Sequence, residues 1–280
     1  MQTEDFKDIL YDKGDDGVVT LTLNTPKRKN ALSAYSFLEL YWAMEHFDKD
    51  PEAGVMIITG AGNPDSNDPA KEAYSSGGYF STDVLEGLPD EILQQIDLTD
   101  IAQKRFTMKM FNCCKPIIAA VNGLAMGGAF TMTLAGCDLV YMSEHAWVQM
   151  PFSKLGLVPE LASTYFLPRL LGFQKAKEIL YFSKKLTAAD CLELGLANAV
   201  LPHDELLDYA REQARKLTPP GGAGLAIQEM KRILHKPHAH EVAQALDLEN
   251  KGLNKLWSTE DFMEGVMSRI ERRPPVYRGK

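Results

Sequence analysis

The chain has 280 residues, enough to bury a substantial core in one large domain or two modest ones. Apolar residues make up 45% and charged residues 24%, the balance of an ordinary globular protein, and 38 acidic against 30 basic side chains leave a net charge of −8. That charge argues against nucleic-acid binding as a main function, and no apolar run reaches the roughly eighteen residues of a membrane span.

In chain order, Val18 to Asn24 alternates as a half-buried strand that Pro26 ends. Ser33 caps a helix whose apolar positions Phe37, Leu40, Tyr41, Met44 and Phe47 recur at helical spacing. Val55 to Thr59 reads as a short buried strand closed by Gly60. A long polar stretch follows to Tyr79, and loops of that length inside a domain are commonly functional. Residues 83 to 114 read as largely helical and are placed to cover a site. Ile117 to Val121 and Leu139 to Met142 are further strands, separated by an apolar helix that starts near Gly127.

Helices are expected at Leu161 to Leu171, Gln174 to Phe182 and Ala188 to Leu194, then a strand at Ala197 to Leu201. Asp204 caps a helix to Leu217, Pro219-Pro-Gly-Gly breaks the chain, and two more helices reach Arg272. Strands alternating with helices and then helices alone indicate an α/β core over residues 1–203 with a helical C-terminal region over 204–280.

The most informative stretch is Val121-Asn-Gly-Leu-Ala-Met-Gly-Gly-Ala129, where a buried strand turns into a glycine pair that opens an apolar helix. A helix start leaves amide groups unpaired and favours negative charge, and glycines let a ligand approach them. It lacks the spacing of a dinucleotide fingerprint and the Gly-Lys-Ser/Thr of a Walker loop. Cys113, Cys114, Cys137 and Cys191 have apolar contexts and no Cys-x-x-Cys spacing, so buried free thiols are expected. The cluster His235, His238 and His240 is broken by a proline and reads as a solvated loop, so no metal site is expected.

Six ordered motifs together resemble the crotonase, or enoyl-CoA hydratase/isomerase, superfamily. They are Asn24-Thr-Pro-Lys-Arg-Lys-Asn-Ala-Leu32, Tyr74-Ser-Ser-Gly-Gly78, Pro116 to Gly128, Pro151-Phe-Ser-Lys-Leu-Gly-Leu-Val-Pro-Glu160, Leu186 to Ala197, and Arg273-Pro-Pro-Val-Tyr277. The resemblance implies a spiral of ββα units, C-terminal helices that assemble a homotrimer or a dimer of trimers, and an acyl-CoA thioester held between two backbone amides. By motif those donors are Ser76 and Gly128, with Ser75, Gly77 and Gly127 forming the loops around them. Arg28, Lys29 and Ala31 fall in the loop that contacts CoA. No cofactor is implied beyond the CoA of the substrate. The first oxyanion loop departs from the family's usual Ala-Gly-Ala-Asp by reading Ser76-Gly-Gly-Tyr79.

A hydratase of this kind uses two carboxylates, and their positions here fall at Thr131 and Phe152, neither of them acidic. Glu160 instead resembles the single glutamate of the Δ3,Δ2-enoyl-CoA isomerases, where one base moves a proton between C2 and C4. Its setting after Pro159 and before Leu161-Ala162 suggests poor solvation, which raises a carboxylate pKa toward neutrality. The expectation is an isomerase of unsaturated fatty-acid β-oxidation. The rival readings are a hydratase or acyl-CoA hydrolase using Glu160 with water, and a non-catalytic CoA-binding assembly protein. A polar, acidic N-terminus and a C-terminal Tyr277-Arg-Gly-Lys280 unlike a peroxisomal address lead to an expected cytoplasmic location.

Overall fold

The computed structural model describes residues 1–280, and its frame is two sheets wound together. The first elements are β1 (Ile9–Lys13), β2 (Val18–Leu23), α1 (Ala34–Lys49), β3 (Val55–Gly60), β4 (Ala73–Ser75), α2 (Asp90–Leu93) and α3 (Lys104–Asn112). Next come β5 (Ile117–Val121), β6 (Leu124–Met126), α4 (Gly128–Gly136), β7 (Leu139–Ser143), β8 (Trp147–Gln149), α5 (Ser163–Leu171) and α6 (Phe173–Phe182). The chain ends through β9 (Lys185–Thr187), α7 (Ala188–Glu193), β10 (Ala199–Leu201), α8 (Leu206–Arg215), α9 (Gly224–His235), α10 (Ala239–Leu256) and α11 (Glu260–Ile270).

One sheet has the order β1-β2-β3-β5-β7-β10 and the other β4-β6-β8-β9. The pairs β3/β4, β5/β6 and β7/β8 each put one strand in each sheet before a helix carries the chain onward. That repetition is the ββα spiral, and β2-β3-β5-β7-β10 run parallel in it. An isolated bridge between Leu32 and Gly78 continues the second sheet's pattern at the earlier turn of the spiral.

The physical reason for the spiral lies in burial. Strand β2 was expected to be half-buried, yet five of its six residues are buried, because the sheet is covered on both faces. The main cluster fills one side, and Leu206, Ala210 and Ala214 of α8 cover Val18, Val55, Ile57 and Ile118 on the other. Helix α8 is thus packed against the core sheet although it lies beyond residue 203. Helix α4 is apolar on all sides, so it is enclosed rather than laid on the surface.

Several expectations are corrected. Strands β1, β4, β6, β8 and β9 escaped sequence reading, four of them because three residues are too short to show alternation. Residues 83–114 are helical only at a single 3₁₀ turn (Asp83–Leu85), α2 and α3. Between α2 and α3, Asp97 accepts the Thr99 amide at 2.9 Å and Asp100 accepts the Lys104 amide at 2.9 Å, local bonds that compete with a continuous helix. Three helices, not two, follow Pro219-Pro-Gly-Gly. The expected solvated histidine loop is a 3₁₀ turn, with His235 stacked on Phe111 and His238 bonded to the Tyr165 hydroxyl at 2.7 Å. Cys113 and Cys191 are buried, Cys114 and Cys137 partly so, and all four are free thiols. No helix is long and apolar enough to cross a membrane.

Candidate active site

Two loops at the ends of the spiral's strands meet at one point. Ser75-Ser-Gly-Gly78 leaves β4 and Gly127-Gly128 leaves β6, and these strands are parallel neighbours. A β-carbon added at Gly77 would lie 2.4 Å from the Met126 carbonyl and 3.7 Å from the Gly128 nitrogen, so the loops are in direct contact. Gly77 also takes φ +84°, a conformation that side chains disfavour.

Accounting for each amide changes one donor. Ser76 donates its N–H to the Lys29 carbonyl at 2.9 Å, so this amide is already committed. Gly77 donates to Ser75 Oγ at 3.1 Å. The amides of Gly78 and Gly128 have no acceptor in the protein, and both residues line the same cavity of about 50 Å³. Ser76 is therefore not the free donor that was expected, and the unpaired amide of this loop belongs to Gly78. The error came from aligning the departing Ser76-Gly-Gly-Tyr79 loop by residue type; only the hydrogen bonds show which amide is left over.

Other expected residues divide in the same way. Gly77, Gly127 and Phe152 line the cavity. Ser75 is wholly buried and holds the loop through its hydroxyl rather than facing the cavity. Thr131 is also wholly buried and returns its hydroxyl to the Gly127 carbonyl at 3.3 Å, one turn earlier in α4. Thr131, at one of the two positions where a hydratase carries a carboxylate and a candidate substrate contact by its place in the motif, is thus an interior residue that does not reach the substrate.

The loop expected to meet CoA is stitched to the first oxyanion loop. Leu32 donates to Gly77 at 2.8 Å, Tyr79 donates to Leu32 at 2.8 Å, and the Ser76 hydroxyl donates to Arg28 at 3.1 Å, each to a carbonyl. Arg28 itself bonds Asp8 at 3.3 Å and lies 4.6 Å above the Tyr79 ring, so its charge is partly engaged. Lys29 is exposed and Ala31 is buried.

Glu160 completes the site. It sits before α5, not within its first turn, because Leu161 and Ala162 both take left-handed φ values of 55° and 57° and the helix starts at Ser163. That turn aims the carboxylate at the glycine pair: a β-carbon on Gly128 would fall 2.7 Å from Glu160 Oε1. Desolvation, with the charge of Glu249 adding to it, pushes the Glu160 carboxyl up to about 8. Glu160 is the one acidic residue lining this cavity, and Arg269 the one basic residue. Sequence reading missed Glu249, a buried carboxylate on α10, because nothing in the pattern of that amphipathic helix marks it.

Two unpaired amides facing a desolvated carboxylate make a device for stabilising an enolate while a proton moves beside it. That arrangement and the spiral define the crotonase superfamily. The chain belongs to its enoyl-CoA hydratase/isomerase family, whose model matches residues 13–280, and it is an enzyme of that superfamily. It is 30% identical to a Bacillus subtilis protein named as an enoyl-CoA hydratase/isomerase, YngF, over 97% of this chain and 98% of that one. It is 32% identical to carnitinyl-CoA dehydratase of Escherichia coli K12 over 94% and 95% of the two chains. Among solved structures, an enoyl-CoA hydratase/isomerase from Pseudoalteromonas atlantica superposes with a TM-score of 0.82 at 26% identity, covering 97% of this chain and all of the other. OdaA of Pseudomonas aeruginosa superposes with a TM-score of 0.81 at 30% identity, covering 95% and 100%.

Proposed function

We propose that this protein is an acyl-CoA isomerase that moves the double bond of a 3-enoyl-CoA to the 2-trans position in fatty-acid β-oxidation. The carrying observation is that Glu160 stands alone as an acid in the cavity formed by Gly78 and Gly128, with Phe152 and the buried Thr131 at the positions where a hydratase has carboxylates. Glu160 removes a proton from C2, and the electron pair spreads over the dienolate onto the thioester oxygen. The Gly78 and Gly128 amides stabilise that oxygen. The protonated Glu160 then returns the proton to C4, and the double bond comes to rest between C2 and C3. No water, metal or further cofactor enters the balance.

A second cavity of about 240 Å³ shares Gly78, Phe80, Ile101, Glu160 and Trp257 with the first and is lined mainly by apolar side chains. That apolar lining is where the acyl tail of the substrate would lie. Lys29 is an exposed cation of the loop that would meet the CoA phosphates. The same reading takes the enzyme to be cytoplasmic and to assemble as a homotrimer or a dimer of trimers.

Water addition or elimination is the competing reading, favoured by the carnitinyl-CoA dehydratase relative. Product analysis separates them: purified protein incubated with 3-octenoyl-CoA should yield 2-trans-octenoyl-CoA, with 3-hydroxyoctanoyl-CoA forming slowly. Rapid hydration of 2-octenoyl-CoA, or no turnover of the 3-enoyl substrate, would overturn the isomerase reading.

A further inference from the structure

Behind the turn that carries Glu160 lies a second carboxylate that the proton transfer does not use. Glu249 comes from the middle of α10, far away in sequence, and is 3% exposed. It accepts three hydrogen bonds: from the Ala162 amide at 2.7 Å, the Thr164 amide at 3.0 Å and the Thr164 hydroxyl at 2.6 Å. The first two are orphan amides at the start of α5, so Glu249 supplies from another helix the cap that the α5 sequence lacks. The same bonds restrain Leu161 and Ala162, two consecutive non-glycine residues in the left-handed region. Such residues are energetically disfavoured and persist only where their surroundings hold them.

A cap needs no ionised group at this depth, since a serine or asparagine would accept the same bonds without burying a charge. No ion pair reaches Glu249: Lys251 and Lys255 of its own helix are exposed to solvent, and the charges on the helices around it have other partners. Lys104 of α3 pairs with Asp247, and Asp100 accepts from Asn250. Arg169 of α5 lies over the Tyr165 ring, and His238 bonds the Tyr165 hydroxyl. Arg269 of α11 reaches Met126 Sδ on the far side of the cavity. Glu249 is therefore a buried carboxylate without a cation, stationed behind the base.

We propose that Glu249 is a positioning residue for Glu160: it locks the left-handed turn that aims the base at the oxyanion loops and sets a second negative charge behind it. The inference rests on Glu160 being the base. The charge raises the proton affinity of Glu160, in line with its direction of shift, while the hydrogen bonds fix where its oxygens lie.

Two variants and a direct titration test it. Glu249→Gln removes the charge and keeps one acceptor; Glu249→Asp keeps the charge but shortens the reach to Ala162 and Thr164. The Glu160 carboxyl is followed by carbon NMR on protein labelled at the glutamate carboxyls, its signal assigned by comparison with Glu160→Gln. In Glu249→Gln the Glu160 titration should move down by about one pH unit, and the rising limb of kcat/KM should move with it. In Glu249→Asp, kcat should fall about tenfold or more with KM within about twofold, the signature of a misplaced base rather than a lost binding contact. An unmoved Glu160 titration in Glu249→Gln, or an unchanged kcat in Glu249→Asp, overturns the proposal. Failure of the isomerase reading shows separately, as a Glu160→Gln variant that still turns over.

Discussion

The Glu160 carboxylate and the Gly128 α-carbon lie so close that a single methyl group cannot be placed between them: a β-carbon at Gly128 would stand 2.7 Å from Glu160 Oε1 and 3.3 Å from Leu161 Cδ1. The crowded atom is the end of a flexible side chain, not backbone. Gly128→Ala should therefore fold with little change in melting temperature while the base swings away from the substrate. We expect kcat to drop by about 10² or more, the scale for a displaced catalytic group. A Gly128→Ala enzyme with wild-type kcat would show that the base does not act from this position.

The reassigned oxyanion donor is tested by a matched pair. Gly78→Ala and Gly78→Pro both add a β-carbon that must move the Phe80 ring, 2.8 Å away, but only proline also removes the amide hydrogen. Turnover of Gly78→Pro should lie about 10²–10³ below that of Gly78→Ala, the range for deleting one oxyanion donor. Ser76→Ala should stay within a few fold of wild type, because its amide serves Lys29 and its hydroxyl serves Arg28. Equal activity in the two Gly78 variants would return the donor role to another amide.

Replacing the base separates binding from chemistry. Glu160→Gln should keep its affinity for acyl-CoA and lose isomerisation by about 10²–10⁴. In the wild type, a carboxyl pushed up to about 8 is ionised in roughly a tenth of molecules at pH 7, so kcat/KM should climb with pH and level off above 8. A flat profile between pH 6 and 9 would remove Glu160 from the rate-determining proton transfer.

The same shift has a stability consequence of definite sign. Burial raises Glu160 to about 8 and Glu249 to about 7, so the folded protein binds protons that the unfolded chain releases near the ordinary carboxylate value. Stability from these groups is full below that ordinary value and is lost as pH rises through about 7 to 8. Glu160→Gln should melt higher than wild type at pH 8.5, on the order of 1–3 kcal/mol more stable, and the gap should close toward pH 5. Chemical denaturation at the two pH values measures it, and a gap that widens at pH 5 would reverse the assignment.

The assembly prediction needs a revised premise. The apolar positions of the C-terminal helices do not all point outward: Leu246, Leu253 and Phe262 are buried in this chain's own second cluster, with Leu256 and Trp257 packed against it. Leu248 is 68% exposed, and Ile233, Leu234 and Ile270 on the neighbouring helices are exposed too, together with Phe173 and Phe182 of α6. Sedimentation at micromolar concentration should give three or six times the 31.2 kDa chain mass. A monomer would leave this apolar surface without a function.

The sequence alone carried much of what depends on local chemistry, though not the Asp97 and Asp100 bonds that interrupt the helix expected over 83–114. Buried strands such as Ile117–Val121, the Ser33 cap, the Gly127-Gly128 turn and the isolated Glu160 were legible because each is a short run of residues whose chemistry acts on near neighbours. Family resemblance, built from six such runs, reached the spiral fold in the same way. Tertiary structure decided what depends on partners distant along the chain. That Ser76 spends its amide on Lys29, that Thr131 turns inward, that β4, β6 and β8 form a second sheet, and that Glu249 from α10 braces the Glu160 turn are all long-range pairings. A hydrogen bond between residues 47 or 87 positions apart leaves no mark in the pattern of either segment; only the closed spiral brings the two together and shows which polar groups remain for the substrate.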